Sequence, residues 1–198
     1  MSSTKVIHGE QIAKKFVSVV QWARGGSLTI ITPFINDFEI GTVSVSARIM
    51  GIARMNSRLI LIVAPPDKPH RTHANGEQQS CGACVAAAKK ILLLDRYSKF
   101  AEDIRIKNNL HAKVYIAIDG KGIPKCLTGS VNLTRQAFNV LCELGIYTSD
   151  KLIIEQIRKI VRLWVREKTV PAQEYRTWRR AFLDEYPPVK DLVEKRLV

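Results

Sequence analysis

Between Asn109 and Tyr147 the chain reads NLHAKVYIAIDGKGIPKCLTGSVNLTRQAFNVLCELGIY. His111 and Lys113 stand two apart in a strand-like run, and strand side chains alternate between faces. They therefore share a face with Tyr115, while Ala112, Val114, Ile116 and Ile118 form the apolar face expected to meet the core. An imidazole and an ammonium then converge on one point. The next strand ends at Thr128-Gly129-Ser130, with Asn132 just beyond. Glycine lets the backbone approach an anion closely, and Ser130 and Asn132 add neutral donors. Glu143 opens a third strand, on the face opposite Leu144 and Ile146, where a carboxylate can hold an imidazole's second nitrogen. These are the parts of a phosphoryl-transfer site that needs no metal. The imidazole is the nucleophile, Lys113 and Asn132 neutralise phosphate oxygens, and the carboxylate orients the ring.

The same positions resemble the phospholipase D superfamily, whose signature is His-x-Lys, then Gly-Ser-x-Asn, then a Glu on a following strand. His111-x-Lys113, Gly129-Ser130-x-Asn132 and Glu143 match it, and GSVNLTRQAFN with ELGI is similar to its nuclease-type branch. Two departures are visible. The family's Asp five positions after the Lys would fall on Ile118, and Asp119 is one later, so Asp119 receives no catalytic role. The stretch from Lys113 to Gly129 is also long, as an extended hairpin at Asp119–Lys125 would make it. The resemblance implies a phosphohistidine reaction in two steps, with no cofactor for catalysis. One imidazole attacks phosphorus; a second protonates the leaving oxygen and later activates water. His8, His70 and His73 lack the x-Lys partner, so this chain carries one motif. The resemblance then implies a homodimer with one composite site on its two-fold axis.

Around these residues the pattern alternates helices with buried strands. Residues 10–24 place Ile12, Phe16, Val19, Val20 and Ala23 on one helical stripe. Ser27–Phe34 and Arg58–Ala64 read as buried strands, 38–56 as a helix, and 82–97 as a helix. Asp103–Ile106, Leu110–Ile118, Lys125–Thr128 and Glu143–Tyr147 read as strands. Lys151–Lys168 is a helix with Ile153, Ile157, Ile160, Val161 and Trp164 on its apolar face, and 171–186 is a last helix started by Pro171. The expected fold is an α/β layered domain over residues 1–198, a mixed sheet flanked by helices with the motif on central strands.

With 198 residues and 46% hydrophobic content the chain supports one core without disulfide staples. Its net charge of +13 points to a polyanionic partner, nucleic acid before an anionic membrane, with DNA favoured over RNA. No apolar run approaches the roughly 18–20 residues of a membrane span. The N-terminus MSSTKVIHGEQ has no apolar signal region, and the four cysteines form no secreted framework, so a cytoplasmic location is expected. Cys126 and Cys142 read as core thiols.

Two further groups stand out. His70-x2-His73-x7-Cys81-x2-Cys84 lies in a long polar loop and the start of the next helix, an insertion over 65–84. Two His and two Cys can close a structural zinc site. Alternatively the histidines are exposed and the cysteines pack under the helix, or Lys68, His70, Arg71 and His73 contact nucleic acid. Arg158, Lys159, Arg162 and Arg166 lie away from the apolar stripe of their helix, and Arg179 and Arg180 stand beside Tyr175 and Trp178. Basic and aromatic residues interleaved in this way suit a phosphate backbone; the alternative is a solvated face paired with Glu155, Glu167 and Glu174. The expected function is a metal-independent nuclease acting as a homodimer on nucleic acid. A phosphatidyltransferase or phospholipase, or a non-catalytic nucleic-acid-binding member of the fold, are the other classes. The polar Pro65–Ser80 loop argues against a membrane-docking enzyme.

Overall fold

A computed structural model describes residues 3–55, 57–72, 81–139, 143–166, 169–170 and 175–196. The elements in chain order are β1 (Thr4–His8), α1 (Glu10–Trp22), β2 (Ser27–Thr32), β3 (Glu39–Ile40), β4 (Val43–Ser44), α2 (Val45–Ala53), β5 (Arg58–Val63), α3 (Gly82–Tyr97) and β6 (Asp103–Lys107). There follow β7 (Val114–Ile118), β8 (Pro124–Gly129), α4 (Arg135–Asn139), β9 (Leu144–Thr148), α5 (Lys151–Arg166), β10 (Thr169–Val170), α6 (Tyr175–Glu185) and α7 (Pro187–Glu194). Eight strands form one mixed sheet in the order β1-β9-β8-β7-β2-β5-β6-β10. The β2–β5 and β5–β6 pairs are parallel, and β2–β7, β7–β8 and β8–β9 are antiparallel. The expected α/β layered fold is therefore the observed one.

Both faces of the sheet are covered. On one, Ile12, Phe16, Val19 and Val20 of α1, Val45 and Ile49 of α2 and Leu94 of α3 pack on Ile30, Leu61, Tyr115 and Leu127. On the other, Ile154 and Val161 of α5 pack on Ile31, Ile62, Val114, Ile116 and Cys126. A smaller cluster joins α3 to α6 and α7 through Cys84, Ala88, Ile91, Leu183, Val189 and Leu192. Two-sided burial explains the continuous apolar runs of the central strands. It also corrects the expectation of a single core face on β7, because Tyr115 is as buried as Ile116.

Other corrections are local. Residues 38–56 are not one helix: Gly41, with φ +65°, turns a short β3–β4 hairpin before α2 begins. Ser44 caps that helix, its hydroxyl accepting from the Ala47 N–H at 3.1 Å. On α5 the inward stripe is Ile154, Ile157 and Val161, while Ile153 and Ile160 are exposed. On β9, Gly145 and Tyr147 face inward and Leu144 and Ile146 outward. The last helix is two: Pro187 begins α7 after α6 ends at Glu185. The strands β1 and β10 and the helix α4 were not expected at all. Pro171 and Cys142 lie outside the described residues.

Candidate active site

Antiparallel pairing puts the start of β7, the C-terminal end of β2 and the end of β8 at one edge of the sheet: Val114 lies opposite both Ile31 and Thr128. His111 and Lys113 fall just before β7, outside the strand that the sequence expectation extended over them. The segment is still fixed. The Lys113 carbonyl accepts from the Thr128 hydroxyl at 2.9 Å and the Gly129 N–H at 3.3 Å. His111 is exposed and Lys113 half-buried, so both heads remain available at the surface.

The second part of the motif is a turn held from three sides. Buried Tyr115 donates its hydroxyl to the Val131 carbonyl at 2.7 Å. Buried Thr32 accepts the Leu133 N–H at 3.3 Å and donates to the Phe34 carbonyl at 2.8 Å. Phe138 of α4 meets Phe16 of α1 edge-on, with ring centroids 5.1 Å apart. Gly129 is required where it stands: its φ is +148°, and a Cβ there would lie 2.2 Å from the Leu144 carbonyl oxygen. Between these anchors Ser130 is exposed and Asn132 half-buried, and the buried Oδ1 of Asn132 has no partner among the described residues. An amide end left unpaired at the edge of a site is set to take up an added polar group.

Glu143 lies next to Ser130, not behind His111. The Ser130 hydroxyl donates to the Glu143 carboxylate, and the Leu144 N–H donates to the same hydroxyl at 3.1 Å. The carboxylate thus closes the Gly-Ser-x-Asn turn onto β9. The expected contact with the His111 ring is absent among the described residues. The five typed positions nevertheless meet at one sheet edge, in the order imidazole, ammonium, turn and carboxylate.

A family model described as "Cardiolipin synthase, PLD-like domain" matches residues 7–164, which includes every one of these positions. The chain belongs to the phospholipase D superfamily. Enzymes of this superfamily cleave or transfer phosphodiesters. Among solved structures, this phospholipase D-like chain is similar to Nuc, a phospholipase D family member from Salmonella typhimurium, with TM-score 0.60 and 12% identity over 84% of this chain and 96% of that one. NucT from Helicobacter pylori aligns with TM-score 0.56 and 16% identity over 84% and 97%. Phosphatidylserine synthase from Haemophilus influenzae aligns with TM-score 0.67 and 17% identity over 98% of this chain but 44% of its own. At these identities the likeness is one of fold. No curated protein sequence matches the chain.

One buried residue near this end of the sheet gave no signal in the sequence. Lys90 of α3 is buried, and its Nζ donates to the carbonyls of Pro33 at 2.8 Å and Pro65 at 3.3 Å. It thereby clamps the chain leaving β2 to the chain leaving β5, at the end of the sheet that carries the motif. Burial lowers its pKa to about 8 against the opposing pull of Asp67. A lysine within an AAAKKILLL run reads as a solvated position, and only the fold reveals it as interior.

The basic candidates separate. Arg158 and Arg162 pair with Glu155 and line a cleft of about 490 Å³ with Arg58, Arg105, Ser27 and Ile118. Ser27 and Ile118 are the ends of β2 and β7 away from the motif, so these arginines sit far from His111. Lys159 is exposed, and the Arg166 side chain lies outside the described residues. Arg179 grips Asp95 with Nε at 2.8 and 2.9 Å from its two oxygens, and Tyr175 donates to the same carboxylate. Its head therefore holds α6 on α3, while Arg180 is exposed. Of the candidate metal ligands, Cys81 Sγ lies 3.9 Å from His70 Nδ1, and His73 lies outside the described residues. Cys126 is a core thiol as expected, its pKa pushed up to about 12 by burial. Among the described residues no helix is long and apolar enough to cross a membrane.

Proposed function

We propose that the protein is a metal-independent phosphodiesterase acting on nucleic acid, with His111 as nucleophile and a second copy of the chain completing the site. The observation that carries this reading is the meeting of His111, Lys113, Ser130, Asn132 and Glu143 at one sheet edge, tied by the hydrogen bonds that Lys113 and Ser130 make. In the first step an imidazole nitrogen of His111 bonds to phosphorus as the P–O bond to the leaving group breaks. The partner's His111 gives the leaving oxygen a proton. In the second step that imidazole takes a proton from water, whose oxygen displaces His111 and releases the phosphate. Lys113 and Asn132 stabilise the charge on the non-bridging oxygens. Glu143 acts through Ser130, whose hydroxyl it holds at the turn.

Two observations support the second copy. Neither other described imidazole carries a lysine two residues on. His8 pairs with Leu144 on β9, three strands from β7, so about 14 Å away at the usual strand spacing. His70 belongs to the segment before α3. The site is also open, and exposed apolar groups lie beside it: Leu144 and Ile146 of β9, with Val6 of β1 opposite Ile146. A surface of this kind suits burial against an identical one.

The charge of +13 favours a polyanionic substrate. The likeness to a phosphatidylserine synthase and the description of the matching family favour a second reading, transfer or hydrolysis at a lipid phosphodiester. One assay separates them: labelled DNA, RNA and phospholipid vesicles, each with EDTA. DNA or RNA cleavage that persists in chelator and vanishes in His111→Asn is the expected result. Turnover confined to vesicles selects the lipid reading. Binding without turnover on any substrate leaves a non-catalytic member of the fold. Activity lost in EDTA and restored by magnesium would mean that the phosphohistidine mechanism is wrong.

A further inference from the structure

The His/Cys cluster at the start of α3 takes no part in this chemistry, and it is where the structure departs most from an ordinary loop. Residues 64–72 leave β5 without regular structure. Yet His70, Cys81 and Cys84 are brought together from two stretches of chain. Cys81 precedes α3 and accepts the Cys84 N–H at 3.5 Å; Cys84, one turn on, is fully buried. Cys81 Sγ stands 3.9 Å from His70 Nδ1. A tetrahedral ion with Zn–S near 2.3 Å and Zn–N near 2.0–2.1 Å sets its S and N ligands roughly 3.6 Å apart. The pair is thus already close to a tetrahedral edge. Cys84 Sγ points at the His70 carbonyl, 3.9 Å away. As placed, no three His, Cys, Asp or Glu side chains among the described residues form a ready cage. Metal entry therefore requires the Cys84 sulfur to exchange that carbonyl for the ion. Cys81, Cys84 and Cys126 form no disulfide.

We infer that His70, Cys81 and Cys84 bind a zinc ion that staples the segment after β5 to the first turn of α3. The ion's role is structural. Arg71 beside His70 pairs with Glu185 of α6 and lies over the Tyr186 ring, so fixing His70 also fixes the seam between α3, α6 and α7. Thiolate and imidazole are the donor set that selects zinc over magnesium or calcium. Sequence spacing offers His73 as a further donor, but the inference and its test rest on the other three residues.

The test is metal analysis of the full chain, purified without a polyhistidine tag and supplied with zinc. One zinc per chain is expected, falling to background in His70→Ala, Cys81→Ser and Cys84→Ser. Cobalt replacing zinc should give thiolate-to-cobalt charge-transfer absorption that the serine variants lack. Should those variants fail to fold, alkylation of the wild type decides. Cys81 should be protected from iodoacetamide and become reactive on chelation. Metal-free wild type after zinc supplementation, full zinc content in both serine variants, or alkylation indifferent to chelator would each overturn the inference. Formation of a Cys81–Cys84 disulfide in protein that takes up no zinc would do so too. The readouts are independent of turnover, so they stand or fall apart from the phosphodiesterase reading. In the EDTA assay above, rescue by zinc alone reports this site, and rescue by magnesium reports a failed mechanism.

Discussion

At the scale of single residues, the carboxylate and the buried lysine change most between sequence and structure. Glu143 works on Ser130, so the two should behave as one unit. Glu143→Gln and Ser130→Ala are each expected to lower turnover by roughly 10–100-fold, as lost positioning partners do. The double variant should be little worse than either alone, because each removes the same hydrogen bond. Losses that multiply would mean that Glu143 acts elsewhere, on the His111 ring as its place in the sequence suggests. Lys90 offers a test by pH. Its pKa is about 8 in the fold against 10.5 in the unfolded chain, so between those values the unfolded state holds more protons. The cost of burying the ammonium is present in full below pH 8 and disappears as pH rises to 10.5. Relative to Lys90→Met, the wild type should therefore gain stability across that window, by roughly 3 kcal/mol at most. Urea unfolding of both proteins at either end measures the difference, and a difference independent of pH would show that the amine is not held as described.

At the scale of elements, the Gly-Ser-x-Asn turn depends on a close approach of β8 and β9 at Gly129 and Gly145. Gly129→Ala would force a Cβ to within 2.2 Å of the Leu144 oxygen and 2.9 Å of the Gly145 Cα, backbone atoms that cannot swing aside. Gly145→Ala meets only side-chain ends, Leu127 Cδ1 at 3.1 Å and Ile7 Cγ1 at 3.3 Å. Gly129→Ala is expected to cost at least roughly 2 kcal/mol and to abolish activity, against about 1 kcal/mol for Gly145→Ala. Equal unfolding midpoints would show that the turn does not need glycine. The same region shows what a sequence can carry. The motif positions were legible from residue type and spacing, although they lie at strand ends and in the turn between them, and α1 was legible from its apolar periodicity. The inward stripe of α5 was not, because Ile153, Ile154, Ile157, Ile160 and Val161 form a band wider than the sheet can cover. The inward face of β9 is hidden for a related reason: Leu144 and Ile146 are apolar yet exposed, while inward Gly145 gives no hydrophobic signal. Two-residue strands such as β10 are too short for any periodicity to show.

For the whole molecule, the exposed apolar positions and the missing imidazole point the same way. Val6, Leu144 and Ile146 are 66%, 57% and 41% exposed, on the paired strands β1 and β9 next to the Gly-Ser-x-Asn turn. Such groups are costly to leave in water, and a second copy would cover them. The chemistry asks for the same thing. An imidazole joined to phosphorus cannot also protonate the leaving oxygen, and each chain brings one His-x-Lys. The two needs are met together if the two-fold axis passes near His111, since an isologous contact repeats every residue across it. Subunit mixing tests this directly. Wild type is combined with His111→Asn, exchange is allowed to finish, and turnover is measured against the wild-type fraction. If both imidazoles serve one site, mixed dimers are dead and activity follows the square of that fraction, leaving a quarter in an equal mixture. If each chain is self-sufficient, activity falls in proportion and half remains. A proportional result, or a fully active monomer in sedimentation, would remove the shared site while leaving the superfamily assignment intact. A variant with Val6, Leu144 and Ile146 changed to serine keeps every residue of the candidate site. It should lose dimer and turnover together on dilution, and regain both as protein concentration is raised.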